Sequence, residues 1–137
     1  MQLHFTGLTP LIQVYDMLES VRFYCDVLGF QVVSTSPLSD TLEGRFSHWM
    51  WLRHGTAEVM LNTAYDSGDR PPQRDLARQA AHGDTILFIG CPDVDAVYEH
   101  LHTHGVSADR PKTAPYGMKQ LHVTDPDGYG ICFQHPV

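Results

Sequence analysis

The sequence predicts an α+β fold in which one βαβββ unit occurs twice. Both halves contain a strand pattern, a capping aspartate, apolar residues at helical spacing and a closing glycine, in that order. The closing glycines, Gly29 and Gly105, lie 76 residues apart. A length of 137 residues, with 42% hydrophobic and 18% charged residues, is typical of one globular domain. We therefore expect a single domain, 1–137, with module one at 5–62, a connection at 63–83 and module two at 84–137.

The first half shows the elements of the unit in order. Leu11–Tyr15 has a short strand pattern, and Asp16 follows as a helix N-cap with Glu19 at capping-box spacing. The apolar residues that come next recur at helical spacing: Val21, Tyr24, Cys25 and Leu28. Gly29 stands where a helix commonly ends. Further strands are predicted at 30–33, 46–52 and 58–62.

The second half repeats this order. A strand is predicted at 85–89, and Asp93 caps a helix that ends at Gly105. The apolar face of that helix consists of Val94, Val97, Tyr98 and Leu101. Three more strands are predicted, the first beginning at Val106 and the others at 118–124 and 131–134. The sequence Asp125-Pro126-Asp127-Gly128 predicts a turn between the last two.

The connection between the modules predicts a loop at 66–72 and two helical turns at 74–81. The net charge of the chain is −7, from 16 acidic and 9 basic residues. An acidic chain is not expected to bind nucleic acid, which requires basic surface. No signal peptide or membrane-spanning stretch is apparent. Three widely separated cysteines indicate reduced thiols, so we expect a cytoplasmic protein. From the net charge and the lack of a long apolar stretch we expect no nucleic-acid and no membrane partner.

Two groups of motifs resemble a known superfamily. The first runs from Thr9-Pro10-Leu11 through Asp16, Ser20 and Phe23-Tyr24 to Leu28-Gly29-Phe30, and the second from Tyr116-Gly117-Met118 through Asp125-Pro126-Asp127-Gly128-Tyr129 to Phe133. Together they resemble the vicinal oxygen chelate superfamily, which includes glyoxalases, bleomycin-resistance proteins and extradiol dioxygenases. The resemblance implies two βαβββ modules with cup-shaped mixed sheets, and a homodimer.

Metal-using members of this superfamily hold a divalent ion with His and Glu side chains on the first and last strands of each module. The resemblance places these four positions here at Thr9, Met60, Thr85 and Cys132. None of them is a ligand that a hard divalent ion favours. We therefore predict no metal site and no cofactor, as in the bleomycin-resistance branch.

A ligand cleft is predicted from strand parity, since alternate residues of a strand face the same side. Starting from the four resembling positions, the expected lining is Leu11, Gln13, Met60, Asn62, Leu87, Cys132 and Gln134, with His48 and Met50 added on weaker grounds, and with Tyr116 and His122 as further candidates. His48 and His122 either enter the cleft, as hydrogen-bond partners or a general base, or face away from it. Trp49 and Trp51 share one side of their strand, where they are core, dimer or ligand contacts.

Three functions are compatible with these patterns. The first is a metal-independent small-molecule binding protein of the bleomycin-resistance type, which sequesters a drug-like or aromatic ligand. The second is a glyoxalase-, lyase- or dioxygenase-like enzyme with a divergent active site. The third is an interaction domain whose cleft is vestigial. No nucleophile motif or phosphate-binding glycine loop is present, so the first function is preferred.

Overall fold

The computed structural model describes all residues, Met1–Val137, which fall into two compact units, Met1–Pro72 and Gln73–Val137. Each unit holds a helix and a four-stranded sheet in the order that the sequence predicts, so the α+β class is confirmed. The predicted boundaries of modules and connection remain a prediction. None of the helices is long and apolar enough to cross a membrane.

The first unit contains six strands and one helix. Its elements are β1 (Leu11–Val14), α1 (Met17–Val21), a π-helical continuation (Arg22–Val27), β2 (Gln31–Thr35), β3 (Leu38–Thr41), β4 (Gly44–Ser47), β5 (Trp49–His54) and β6 (Ala57–Thr63). Its sheet has the strand order β1-β6-β5-β2, with β1 parallel to β6 and the other pairs antiparallel. Strands β3 and β4 form a separate hairpin.

The second unit contains four strands and two helices. Its elements are α2 (Leu76–Ala81), a 3₁₀ turn (His82–Asp84), β7 (Ile86–Gly90), α3 (Val94–Thr103), β8 (Lys112–Thr113), β9 (Met118–Thr124) and β10 (Gly130–Pro136). The sheet order, β7-β10-β9-β8, repeats that of the first unit, and β7 is parallel to β10. The predicted helical turns within 74–81 are confirmed by α2.

Aspartate caps start the helices where the sequence predicts them. The Asp16 carboxylate accepts a hydrogen bond from the Glu19 backbone N–H at 3.2 Å. The Asp93 carboxylate accepts from the N–H groups of Asp95 and Ala96, both at 3.1 Å. These bonds satisfy donors that a helix start would leave unpaired.

In the first unit α1 packs on one face of the sheet and in the second unit α3 does so, and the core lies between helix and sheet. In the first unit the buried core residues are Ile12, Val14, Met17, Phe23, Tyr24, Phe30, Phe46, Leu52, Val59 and Leu61. In the second unit they are Val94, Leu101, Leu121, Val123, Tyr129, Ile131 and Phe133, and Cys132 is buried on the other side of the same sheet. In β1, β6 and β7 the less exposed residues alternate with more exposed ones, and together with the strand register this defines a helix face and a far face for each sheet.

Two predicted strands are wrong in extent. The predicted strand at 46–52 is two strands, because Ser47 pairs with Leu38 of the hairpin while Trp49 pairs with Asn62 of the sheet. The chain changes partners at His48, which belongs to neither strand. No strand begins at Val106, since the short β8 covers only Lys112–Thr113.

The predicted connection, 63–83, is divided between the two units. Its first part stays with the first unit, where the Tyr15 hydroxyl donates to the Pro71 carbonyl at 2.6 Å. Its second part joins the second unit through the ion pair of Arg74 with Asp127, at 3.0 Å. His82 Nδ1 also lies 2.7 Å from the Asp127 carbonyl oxygen. These long-range contacts are invisible to local sequence patterns.

Candidate functional site

The register of β5 against β6 decides which side chains lie on the far face of the first sheet. Trp51 stands opposite Met60, and Trp49 stands opposite Asn62. Directly opposed residues of an antiparallel pair point to the same side. Parallel pairing with β1 adds Leu11 beside Met60 and Gln13 beside Asn62. The far face of the first sheet therefore carries Leu11, Gln13, Trp49, Trp51, Met60 and Asn62, together with Arg53 and Glu58.

This register corrects the predicted lining at two positions. Met50 stands opposite Leu61, which is fully buried on the helix face, so Met50 does not share a side with Met60. His48 is held by two hydroxyl groups: its Nδ1 lies 2.7 Å from Thr63 Oγ1 and its Nε2 lies 2.9 Å from Ser67 Oγ. Both ring nitrogens are therefore engaged by hydroxyl groups, and His48 precedes β5 instead of lying on the paired part of the sheet.

The Trp51 indole carries an unsatisfied hydrogen-bond donor. Its Nε1–H is buried and has no hydrogen-bond acceptor. The Arg53 guanidinium lies over the ring, 5.5 Å from its centroid, and is fixed by Glu58 through bonds of 2.9 and 3.0 Å. A buried donor without an acceptor is uncommon in native structures and calls for an explanation.

An amide pair lies on the same face. The Asn62 Nδ2 donates to the Gln13 Oε1 at 3.1 Å and to the Thr63 carbonyl, also at 3.1 Å. This arrangement fixes the orientation of the Asn62 side chain. The far face of the first sheet thus combines two indoles and aliphatic side chains with one ordered amide pair.

The second sheet has an equivalent far face. Cys132 stands beside Phe88 on β7 and opposite His122 on β9, and Gln134 stands opposite Gln120. Leu87 stands beside Ile131, the neighbour of Cys132 along β10, so it points to the opposite side of the sheet from Phe88 and Cys132, which is the helix face. The prediction that Leu87 shares a side with Cys132 is therefore wrong by one residue, and Phe88 occupies that place.

A chain of hydrogen bonds runs across this far face. The Tyr116 hydroxyl donates to the Gln120 Oε1 at 3.1 Å, and the Gln120 Nε2 donates to the Gln134 Oε1 at 3.0 Å. Gln134 stands 72 residues after Asn62, so each unit has an ordered amide at the corresponding point of its last strand. The Tyr116 and Gln134 side chains are brought together here with a residue, Gln120, that the sequence did not single out.

The neighbouring thiol is not an activated nucleophile. His122 Nε2 lies 3.9 Å from the Cys132 Sγ. Burial, with a smaller contribution from nearby Cys91, raises the pKa of the Cys132 thiol above its ordinary value. A raised pKa disfavours the thiolate, which is the reactive form. The pair therefore lacks the electrostatics of a catalytic cysteine and histidine.

The metal positions carry no coordinating set. Counting from the register, the residue of β7 that corresponds to Thr9 is Ile86 and not Thr85, because Phe88 is the counterpart of Leu11. Neither residue is a metal ligand that a divalent ion favours. No group of three or more His, Cys, Asp or Glu side chains stands close enough together to hold an ion.

The protein belongs to the Glyoxalase/Bleomycin resistance protein/Dioxygenase superfamily, whose family profile matches residues 2–133. The resemblance found in the sequence is thereby confirmed. The chain is 30% identical over 118 residues to the uncharacterized protein YaeR of Escherichia coli (strain K12), and the match covers 82% of each chain.

Solved structures with the same fold include proteins of Streptomyces sp. CB03234. TnmS3, described as an antibiotic binding protein, matches with a TM-score of 0.68 and 25% identity over 100% of both chains. A glyoxalase/bleomycin resistance protein of the same organism matches with a TM-score of 0.62 and 26% identity, over 95% of this chain and 100% of that one.

Proposed function

We propose that this protein binds a small organic molecule on the far face of its first sheet, without a metal of its own. The observation that carries the proposal is the placement of Trp49 and Trp51 beside Met60 and Leu11 on one side of the sheet. Leu11 is 47% exposed, which is high for a leucine on a strand. Indoles and a thioether offer a large, polarisable surface against which a flat ligand can pack.

The unpaired Trp51 N–H narrows the class of ligand. This donor is buried, so a ligand reaches it only when a side chain that covers it moves aside; a carbonyl oxygen placed there then removes the penalty of leaving the N–H unsatisfied. The amide pair of Gln13 and Asn62 adds directional polar contacts nearby. The preferred ligand is therefore a planar, mostly apolar molecule with at least one hydrogen-bond acceptor. Small-molecule pockets commonly combine an apolar lining with a few polar groups in this way.

The comparisons support this proposal from a separate direction. TnmS3, with the same fold and 25% identity, is described as an antibiotic binding protein. To sequester a drug-like molecule, a protein must bury the molecule and orient it. It does not need the acids and bases with shifted pKa values that catalysis requires. The homodimer and the cytoplasmic location predicted from the sequence are part of the same proposal.

A test of the ligand site can use the two tryptophans as reporters, because the chain has no others. Their indole N–H cross-peaks are resolved in ¹⁵N-correlated spectra, and Trp51→Phe and Trp49→Phe assign them. Titration with a panel of planar pairs that differ by a carbonyl, such as coumarin and 2H-chromene, should move the Trp51 peak most for the carbonyl compound. A panel in which no compound moves either peak would contradict the proposal.

Trp51→Phe itself separates binding from stability. The substitution keeps the aromatic surface and removes the unsatisfied donor, so we expect the free energy of unfolding to stay the same or rise. The affinity for the carbonyl compound should fall about tenfold, which corresponds to one hydrogen bond of about 1.4 kcal/mol. Met50→Leu, on the helix face, is the control and should leave affinity unchanged. Equal loss of affinity for both members of a pair would mean that the N–H has no role.

Metal independence is tested by elemental analysis of tag-free protein. We expect less than about one tenth of an equivalent of iron, zinc, nickel or manganese per chain, because the four corresponding positions hold no favoured ligand. Ligand affinity should also be unchanged after treatment with a chelator. One equivalent of metal that is lost together with ligand binding would overturn this part of the proposal.

A further inference from the structure

A small cavity opens in the second unit at the edge of its sheet. Its volume is about 210 Å³, and it is lined by Asp109, Arg110, Lys112, Thr113, Ala114, Gln120 and His122. Sites for drug-sized molecules usually measure about 300–1,000 Å³, so this space suits one small ring or one functional group. The cavity belongs to a different unit from the indole site proposed above.

The charge of this cavity is opposite to that of the whole chain. At least five of the nine Lys and Arg residues form ion pairs with carboxylates: Arg45, Arg53, Arg70, Arg74 and Lys119. Arg110 and Lys112, which both line the cavity, have no carboxylate within ion-pair distance. Asp109 is the one acidic residue of the lining, so the cavity has a net positive charge in a chain of net charge −7.

Strand register explains why Lys112 is unpaired. Lys112 stands opposite Gln120, so its side chain points to the far face of the second sheet. Its neighbour in the sheet, Lys119, points to the helix face and pairs there with Asp95 of α3. The acidic residue on the helix therefore neutralises Lys119 and leaves the charge of Lys112 available.

Arg110 is positioned without being neutralised. Its guanidinium lies over the ring of Tyr98, 5.2 Å from the centroid. A cation–π contact orients a guanidinium and leaves its net charge in place. The cavity lining thus includes Arg110, which is held against Tyr98, and Lys112, which has no carboxylate partner.

The floor of the cavity is ordered and polar. Gln120 is only 8% exposed, and its amide is fixed between Tyr116 and Gln134. His122, beside it on β9, is exposed and adds a ring nitrogen. The cavity therefore combines ordered hydrogen-bonding side chains with two cations. A planar oxyanion can contact the cations and the hydrogen-bonding groups at the same time, so it suits the cavity better than a hydrated inorganic ion.

We propose that this cavity binds the carboxylate, or a similar small oxyanion, of an aromatic or heteroaromatic acid. The proposal goes beyond the indole site of the first unit and does not depend on it. The Lys112 ammonium group supplies a point charge, and the Arg110 guanidinium supplies several N–H donors in one plane. Lysine and arginine commonly bind anions in these two ways. The site is therefore selective for charge, whereas the indole site selects for apolar surface.

The test compares benzoate with its uncharged isostere benzamide by ¹⁵N-correlated NMR titration of the full chain. Benzoate should shift the amide signals of Lys112, Gln120 and His122 and bind at least about tenfold more tightly than benzamide, since the charge-assisted bonds are lost in the amide. Lys112→Met and Arg110→Met should each weaken benzoate binding about fivefold, and the double variant more than tenfold. Arg45→Met, which removes an exposed cation of the first unit, is the matched control and should change nothing.

Equal affinities for benzoate and benzamide, or unchanged benzoate binding in the double variant, would overturn the proposal. Competition by inorganic phosphate at the same concentration as benzoate would also overturn it, because the site would then be an unselective ion site. The same variants titrated with coumarin keep the two proposals apart. If coumarin shifts the Trp51 indole signal but benzoate does not bind, only the anion site is refuted. If benzoate binds but coumarin shifts neither indole signal, only the indole site is refuted.

Discussion

Replacing Gly128 by alanine is expected to lower the free energy of unfolding by about 4 kcal/mol. Gly128 has a φ of +90°, a backbone conformation that side chains disfavour. A Cβ at this position would also lie 2.2 Å from the Gln79 backbone oxygen, which cannot move without displacing α2. Strain and collision therefore act together. Urea unfolding followed by far-ultraviolet circular dichroism measures the effect. Tryptophan fluorescence would not serve, because both tryptophans lie in the first unit and Gly128 lies in the second.

Gly105→Ala is the matched control in the same unit. Its φ of +76° is similar, but nothing stands within 4 Å of the added Cβ. It should therefore show only the conformational cost, about 1 kcal/mol. Equal losses in the two variants would mean that α2 does not press against the turn at Gly128, and the packing argument would fail.

The fold could be predicted from the sequence because its signals are local and occur twice. Asp16 and Asp93 each cap a helix, and Gly29 and Gly105 each end one, at φ values of +81° and +76°. A strand, a cap, a periodic helix and a glycine require only contacts between near neighbours. The turn at 125–128 is of the same kind, since the Asp125 carboxylate accepts from the N–H groups of Asp127 and Tyr129.

The faces of the strands were harder to predict because they depend on pairing. Gly55 and Thr56 alone connect β5 and β6, so His54 stands opposite Ala57 and Trp51 opposite Met60. Counting back through this two-residue loop would have placed the indoles beside Met60 and Met50 on the other side. The opposite charges of Arg53 and Glu58 are a second signal for that register.

The slip at Leu87 has a similar origin. Leu11 stands five residues before the cap Asp16, and the same distance before Asp93 leads to Phe88. Measuring both first strands from their helix caps, which are well defined, would have avoided the error. Strand boundaries alone did not suffice, because a shift of one residue exchanges the two faces.

The charged cavity and the role of the connection had no local signal. In the sequence, nothing distinguishes Arg110 and Lys112 from other loop and edge-strand residues. Only the pairing of β8 with β9 places Lys112 beside Gln120. Likewise Arg74 and Asp127 are 53 residues apart. Such contacts follow from the tertiary fold and cannot be read from composition or periodicity.

Replacing Arg74 by methionine is expected to lower the free energy of unfolding by about 3 kcal/mol. The Asp127 side chain is 5% exposed, and Arg74 contacts its carboxylate at 3.0 Å. Removing the cation takes away the 3.0 Å ion pair that Arg74 makes with this buried carboxylate, and breaking a buried ion pair from one side costs more than the pair itself contributes. Arg45→Met is the control, because Arg45 and Asp40 are 68% and 89% exposed, and it should change stability by less than about 0.5 kcal/mol.

A double-mutant cycle separates the buried charge from the loss of packing around Arg74. Asp127→Asn removes the charge that Arg74 neutralises, so the double variant with Arg74→Met should be more stable than Arg74→Met alone, by about 1–2 kcal/mol. Urea unfolding of the four proteins under identical conditions gives the coupling energy. Additive losses would show that Arg74 acts through its aliphatic stem, and the ion pair would not be what holds the 73–84 segment against the turn at 125–128.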